Sequence, residues 1–289
     1  MQIGIFGNKY HTEKQTYIQG LFDRLKEQNA HIWVEESFYR FLSQTFAFTP
    51  EIAGLIDCDS FPLDMIFSLG GDGTFLQTAA WVGRQPIPVL GINTGRLGFL
   101  ADISPSDIEK TIEEIFSGKY NLEEKCLLRI DAPKPYPQPY ALNEVAILKR
   151  DTASMITIVV YLNDEFLTEY LADGLLLSTP TGSTAYNLSV NGPIILPSSE
   201  SFVLSPVAPH SLNMRPLVIP DDFKIRLRVE SRQRNFLVSL DGRSTAFPSG
   251  SEFFVSKADF TLKVVKCLQH NFYNTLRKKL LWGTDVRME

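Results

Sequence analysis

The apolar pattern of this chain changes period near residue 120, and that change limits what it can fold into. Before it, short apolar runs alternate with longer stretches at helical spacing. Ile3–Phe6, Ile32–Val34, Met65–Leu69 and Val89–Ile92 read as strands, and Thr12–Asn29, Thr74–Val82 and Ser104–Ser117 read as helices. Within the helices, Tyr17, Leu21 and Leu25 form one apolar stripe, and Ile108, Ile112, Ile115 and Phe116 form another. Strands alternating with helices predict an α/β layer around a mainly parallel sheet.

After residue 120 the period falls to two. In Phe223–Glu230, Phe223, Ile225, Leu227 and Val229 face one way while Lys224, Arg226, Arg228 and Glu230 face the other. That is the signature of half-buried antiparallel strands. Further strands are expected at Leu127–Ile130, Met155–Tyr161, Leu175–Ser178, Leu237–Leu240, Phe253–Ser256 and Leu262–Val265, with turns at Asn163-Asp164 and Asp241-Gly242. The second domain is therefore β-rich and sandwich-like. Ala132–Tyr140 holds four prolines and reads as an exposed loop or extended edge. Helical spacing returns at the end, where Phe272, Leu276, Leu280 and Leu281 share a face. Such a helix either caps the β-rich domain or returns to the first. The change of period divides the chain into 1–120 and 121–270, with 271–289 open between those two homes.

Composition excludes several function classes. A net charge of −5 provides no overall basic field for nucleic acid or an anionic membrane. Cys58, Cys126 and Cys267 are widely spaced and odd in number, which argues against a disulfide framework or a zinc site. No apolar stretch approaches the roughly 20 residues of a membrane helix. The opening MQIGIFGN lacks the basic segment and apolar core of a signal peptide. A cytoplasmic protein without nucleic-acid or membrane partners is expected.

The segment SLGGDGTFLQ, Ser68–Gln77, places Gly70, Gly71 and Gly73 around Asp72, between a strand and a helix. Exposed N–H groups at such a junction bind anions, and glycine lets the main chain approach phosphate oxygens. The plain alternative is that Asp72 and Thr74 cap the helix while the glycines make the turn. An aspartate in a phosphate cradle repels phosphates unless it binds a cation or takes a proton. Asp72 is thus a candidate base or metal ligand.

Three more segments stand at characteristic spacing: NTGRLGFL (Asn93–Leu100), Asn143-Glu144, and DGLLLSTPTGSTAYNLSVNGP (Asp173–Pro193). Together with GGDGT they resemble the NAD kinase family, over roughly three quarters of the chain. GGDGT alone is shared with phosphofructokinases and diacylglycerol-type lipid kinases, whereas STPTGSTAYN is far more specific. The resemblance implies a Rossmann-like N-terminal α/β domain and a β-rich C-terminal domain, with the closing helix packed back on the first. It also implies transfer of the ATP γ-phosphoryl group to the adenosine 2′-hydroxyl of NAD.

By the same resemblance, Asp72 activates the 2′-hydroxyl, while Gly70, Gly71, Gly73 and Thr74 form the phosphate loop. Asn143 and Glu144 bind ribose hydroxyls, although an isolated Asn-Glu pair is often mere surface. Asp173 matches an acidic residue near the nicotinamide, although Asp-Gly is also a common hairpin turn. Thr181, Ser183, Thr184, Ala185 and Tyr186 match the loop on the adenine and ribose side. Phe75 matches an apolar contact beside the phosphates, with core packing as the alternative. Arg96 either meets phosphate or pairs with a surface carboxylate, and His210 either borders the pocket or is structural.

A divalent cation, Mg²⁺, is expected with ATP, and no metal ligand is assigned. The resemblance implies a homodimer or homotetramer. Two rivals remain at this point: a lipid kinase with the same phosphate loop, and a non-catalytic NADP-binding sensor.

Overall fold

The computed structural model describes residues 1–9, 15–56, 62–95, 97–150, 154–232, 234–268 and 271–283. The chain divides into two compact units, Met1–Glu124 with Leu262–Glu289, and Lys125–Thr261.

In the first unit, β1 (Gln2–Gly7), β2 (His31–Glu35), β3 (Gly54–Ile56), β4 (Met65–Gly70) and β5 (Val89–Asn93) form a parallel sheet in the order β5-β4-β1-β2-β3. Every residue of β4 and β5 is buried, as expected of inner parallel strands covered on both faces. The helices are α1 (Gln15–Glu27), α2 (Glu36–Thr45), α3 (Asp72–Val82) and α4 (Ile108–Phe116). Ile18, Leu21, Phe22 and Leu25 of α1 and Ile108, Ile112 and Ile115 of α4 are buried, following the stripes in the sequence. The sequence reading had no counterpart for α2 and β3. The α2 helix starts where the Glu35 carboxylate accepts the N–H groups of Ser37 and Phe38, and it buries only Phe38 and Leu42.

The strand pairs within the second unit are antiparallel. Its strands are β6 (Tyr120–Asp131), β7 (Tyr140–Ala141), β8 (Glu144–Lys149), β9 (Ile156–Leu162), β10 (Glu165–Ala172), β11 (Gly174–Ser178), β12 (Ser201–Val207), β13 (Leu217–Pro220), β14 (Ile225–Ser231), β15 (Asn235–Leu240), β16 (Arg243–Pro248) and β17 (Ser251–Cys267). Its first and last long strands, β6 and β17, run on past its bounds into the first unit's sequence. One sheet runs β13-β12-β11-β8-β15-β16, and the other contains the run β10-β9-β14-β17. Their inner faces share a core that includes Val145, Ile147, Leu175, Leu177, Ile158, Val160, Leu227 and Phe253. In β14, Ile225, Leu227 and Val229 are buried and Arg228 is exposed, as the alternation predicts. Both predicted turns have left-handed residues at the two central positions, with φ 49° and 67° at Asn163 and Asp164 and 49° and 83° at Asp241 and Gly242.

Two expectations need correction. Phe253–Ser256 and Leu262–Val265 belong to the single strand β17, because the polar stretch between them continues the extended backbone instead of breaking it. The terminal segment beyond β17 contributes a helix, Phe272–Leu280, to the first unit. Leu281 lies outside this helix, left-handed at φ 52° and exposed, and the helix buries Thr275 instead.

Candidate active site

The first set of site residues lies where β4 meets α3. Gly71 is the only residue between them, so the helix N-terminus follows directly from the end of an inner strand. Such a junction presents free N–H groups to anions. A β-carbon on Gly70 would stand 2.3 Å from Thr74 Oγ1, so this glycine is required by packing. A β-carbon on Gly71 or Gly73 would meet nothing within 4 Å. These two glycines leave open space, which fits the approach of a ligand to the main chain. Thr74 is buried, and Phe75 is completely buried in the protein interior.

Asp72 does not cap its own helix; Gly71 occupies the cap position without any side-chain hydrogen bond. The carboxylate reaches instead into the loop after β5. Its Oδ2 accepts the Phe99 N–H, and its Oδ1 accepts those of Leu100 and Ala101, all at 3.0 Å. A β-carbon at Gly98 would lie 2.0 Å from Oδ1, so only glycine lets the loop come this close. Lys279 on the closing helix adds its ammonium 3.4 Å from Oδ2 and 4.7 Å above the Phe99 ring centre. The loop is anchored next to this contact by a buried ion pair, Lys266 Nζ to Asp102 Oδ2 at 2.7 Å. Asn93 Nδ2 donates to the Ala101 carbonyl at 3.2 Å. Arg96 lies outside the described residues.

The second set belongs to the β-rich unit. Asp241, in the β15–β16 turn, accepts the N–H groups of Leu142 at 2.7 Å, Asn143 at 2.8 Å and Glu144 at 3.1 Å. This holds the start of β8 in one conformation. Burial raises the Asp241 carboxyl against the lowering effect of those three N–H groups. Glu144 is pushed up to about 7, first by burial, then by the charge of Asp241, partly offset by the Tyr186 N–H. Asn143 Oδ1 and Glu144 Oε2 are buried and have no hydrogen-bond partner. Buried polar atoms are nearly always paired, so two neighbouring orphans mark a place built for an incoming polar group.

The loop Thr179–Asn187 wraps the same turn. Thr179 Oγ1 donates to the Leu142 carbonyl at 2.6 Å, and the Thr179 N–H donates to the Asn143 carbonyl at 2.9 Å. Gly182 sits so close that a β-carbon would be 2.0 Å from the Asn143 oxygen. Ser183 is fully buried, its hydroxyl donating to the Pro180 carbonyl and accepting the Ile195 N–H. Thr184 Oγ1 donates to the Thr181 carbonyl at 3.3 Å. Thr181, Thr184 and Ala185 are half-buried, while Tyr186 is 38% exposed. Asp173 is not in a hairpin: it joins β10 to β11, which lie in different sheets, and it pairs with Lys149 Nζ at 2.6 Å. His210 is exposed and held through its backbone N–H to the Leu171 carbonyl.

Sequence reasoning passed over Asp241, Lys149, Lys279 and the N–H groups of Phe99–Ala101. Asp241 was visible only as half of a turn signal, and backbone donors carry no side-chain signature.

The model of the ATP-NAD kinase N-terminal domain matches residues 3–120, and that of the C-terminal domain matches 142–267. The NAD kinase of Bacteroides fragilis is 50% identical over 290 residues, covering 100% of both chains. That of Porphyromonas gingivalis is 47% identical over 286 residues, covering 99% of each. Among solved structures, yeast NADH kinase complexed with NADH shares the fold at a TM-score of 0.89 and 24% identity, over 100% of this chain and 90% of that one. An NAD kinase from Archaeoglobus fulgidus in complex with ATP matches at a TM-score of 0.77 and 25% identity, over 97% of this chain and 99% of that one. With both domain models matched in order and relatives of half-identical sequence along the whole length, the chain belongs to the NAD kinase family.

Proposed function

We propose that this enzyme transfers the γ-phosphoryl group of ATP to the 2′-hydroxyl of the adenosine ribose of NAD, giving NADP and ADP. The observation that carries the substrate reading is the pair of buried, unpartnered acceptors, Asn143 Oδ1 and Glu144 Oε2. A ribose diol supplies two hydroxyl donors at the spacing of neighbouring side chains, which satisfies both. Tyr186 and the partly exposed Thr181, Thr184 and Ala185 face the adenine side, with Ser183 shaping the loop from within. Asp173 serves the nicotinamide end.

Asp72 orients the 2′-hydroxyl and receives its proton. Phosphoryl transfer asks little covalent chemistry of the protein, so alignment and charge stabilisation dominate. Gly71 and Gly73, where a β-carbon would meet no protein atom, give the phosphates access to main-chain N–H groups. A Mg²⁺ ion bound with ATP would offset phosphate charge. Among the described residues no group of three or more His, Cys, Asp or Glu side chains is placed to hold a metal.

No helix among the described residues is long and apolar enough to cross a membrane. We place the enzyme in the cytoplasm and expect a homodimer or homotetramer. The deciding assay incubates purified protein with ATP, Mg²⁺ and NAD and follows NADP, with diacylglycerol as a parallel acceptor. NADP formation with no lipid phosphorylation is expected, and the reverse would overturn the reading.

A further inference from the structure

Three cations stand in the last turn of the closing helix: Arg277, Lys278 and Lys279. Cations there complement the helix dipole, which explains their sign but not their separate destinations. Arg277 bonds back to Asn274 within the helix. Lys278 lines a cleft of about 410 Å³ with Asp107, Lys110 and Glu114 of the α4 region. Lys279 goes to Asp72.

We propose that Lys279 is a working member of the phosphoryl-transfer site: its ammonium balances Asp72 within the fold and donates to the phosphate oxygens of ATP when the donor binds. The inference rests on the reading of Asp72 as the group that activates the acceptor hydroxyl. Three observations carry it. The ammonium stands 3.4 Å from Oδ2, close enough for charge pairing yet longer than a tight ionic hydrogen bond. Asp72 is already held by three backbone N–H groups, so its place does not depend on the lysine. The side chain is about one-third exposed, and it rests on the Phe99 ring, itself 6.1 Å from Phe272 at the base of the same helix. An ammonium has three donors, so it can keep the carboxylate and still reach a phosphate.

Charge supplies the reason for such a group. An aspartate at a helix N-terminus beside open glycines attracts no phosphate by itself. A neighbouring cation removes that repulsion and leaves the carboxylate oxygen in place. Lys279 is the one cationic side chain in contact with Asp72 among the described residues.

The test compares wild type, Asp72→Asn, Lys279→Met, Lys279→Arg and Lys278→Met for kcat, KM for MgATP, Kd for NAD, and Tm. Lys278→Met makes the same charge change on the same helical turn and controls for dipole and folding effects. Losing a charged hydrogen bond to phosphate is expected to lower kcat/KM for MgATP about tenfold to hundredfold in Lys279→Met. The Kd for NAD and the Tm should match those of Lys278→Met, and Lys279→Arg should recover most of the loss. Normal kinetics in Lys279→Met, equal losses in both Met variants, or a fall in Tm without a kinetic change would each overturn the proposal. Wild type and Asp72→Asn separate the two readings. An active wild type with a dead Asp72→Asn and a normal Lys279→Met sinks only the lysine. An Asp72→Asn variant with normal kcat sinks the reading on which it rests.

Discussion

The carboxyl groups of Asp241 and the buried Glu144 are joined through one backbone N–H: Asp241 Oδ1 accepts from Glu144 N at 3.1 Å. Burial lifts the Glu144 carboxyl from an ordinary 4.5 to about 7, and the negative charge that the same contact sets beside its side chain adds to the rise.

Substrate affinity should therefore depend on pH near neutrality. The ionised form accepts ribose hydroxyls best, so NAD affinity is expected to rise between about pH 6 and pH 8 as Glu144 loses its proton. Stability should move the other way. The folded state holds this proton more tightly than the unfolded chain, so its contribution is complete below 4.5 and is lost as pH rises through about 7. Glu144→Gln should abolish both trends and cost about tenfold to hundredfold in kcat/KM for NAD at pH 8, a charged hydrogen bond having been weakened. Calorimetric titration with NAD across pH, alongside Tm, reads both. A wild-type Kd that is flat across this range would remove Glu144 from the ribose site.

Asp72→Asn should lower kcat by about 10²–10⁴, the usual cost of losing a general base, with little change in NAD affinity. It should also lose stability. An amide offers one acceptor oxygen where the carboxylate offers two for Phe99, Leu100 and Ala101. Leaving a buried donor unpaired costs about 1–3 kcal/mol, measurable by urea unfolding. Near-normal kcat would contradict the catalytic assignment, and recovery at high Mg²⁺ would point to metal binding.

Two glycine substitutions should part company. In Gly98→Ala the new methyl falls 2.0 Å from Asp72 Oδ1, forcing loop and carboxylate apart. Overpacking of this kind costs about 1–3 kcal/mol, and activity should fall with stability. In Gly71→Ala the methyl meets no protein atom, so Tm should hold while KM for MgATP rises. A Gly71→Ala enzyme with unchanged KM would show that phosphates do not approach there.

Tyr186→Ala should raise KM for NAD without disturbing the fold, because the ring is 38% exposed and its neighbour Asn187 keeps the loop's internal bonds to Ser183, Pro193 and Ser205. A large drop in Tm with unchanged KM would make Tyr186 a packing residue.

Much of the fold was legible because burial writes itself into periodicity. Ile225, Leu227 and Val229 announce their strand, and Ile108, Ile112 and Ile115 their helix. What alternation could not show is where a backbone N–H points. Asp72 and Asp241 each hold three consecutive amides of a distant loop, contacts written in no side-chain pattern. The role of Asp241 was hidden because Asp-Gly already accounted for a turn, and the turn does exist. Lys279 carries no signal of its own in the helical spacing, and its partner lies 207 residues away along the chain. The break placed between Ser256 and Leu262 failed because Lys257 and Asp259 are exposed positions of one strand, not a turn.

The first unit is discontinuous, made of residues before Lys125 and after Thr261. During synthesis on the ribosome the order of completion is therefore inverted. The β-rich unit has its whole sequence available while the earlier α/β segment still waits for its last pieces. A nascent chain arrested before Leu262 would leave β5 without its parallel neighbour at Val264 and Asp72 without Lys279. The surroundings of Asp72 are thus begun first and finished last, so premature termination yields a chain in which they are incomplete.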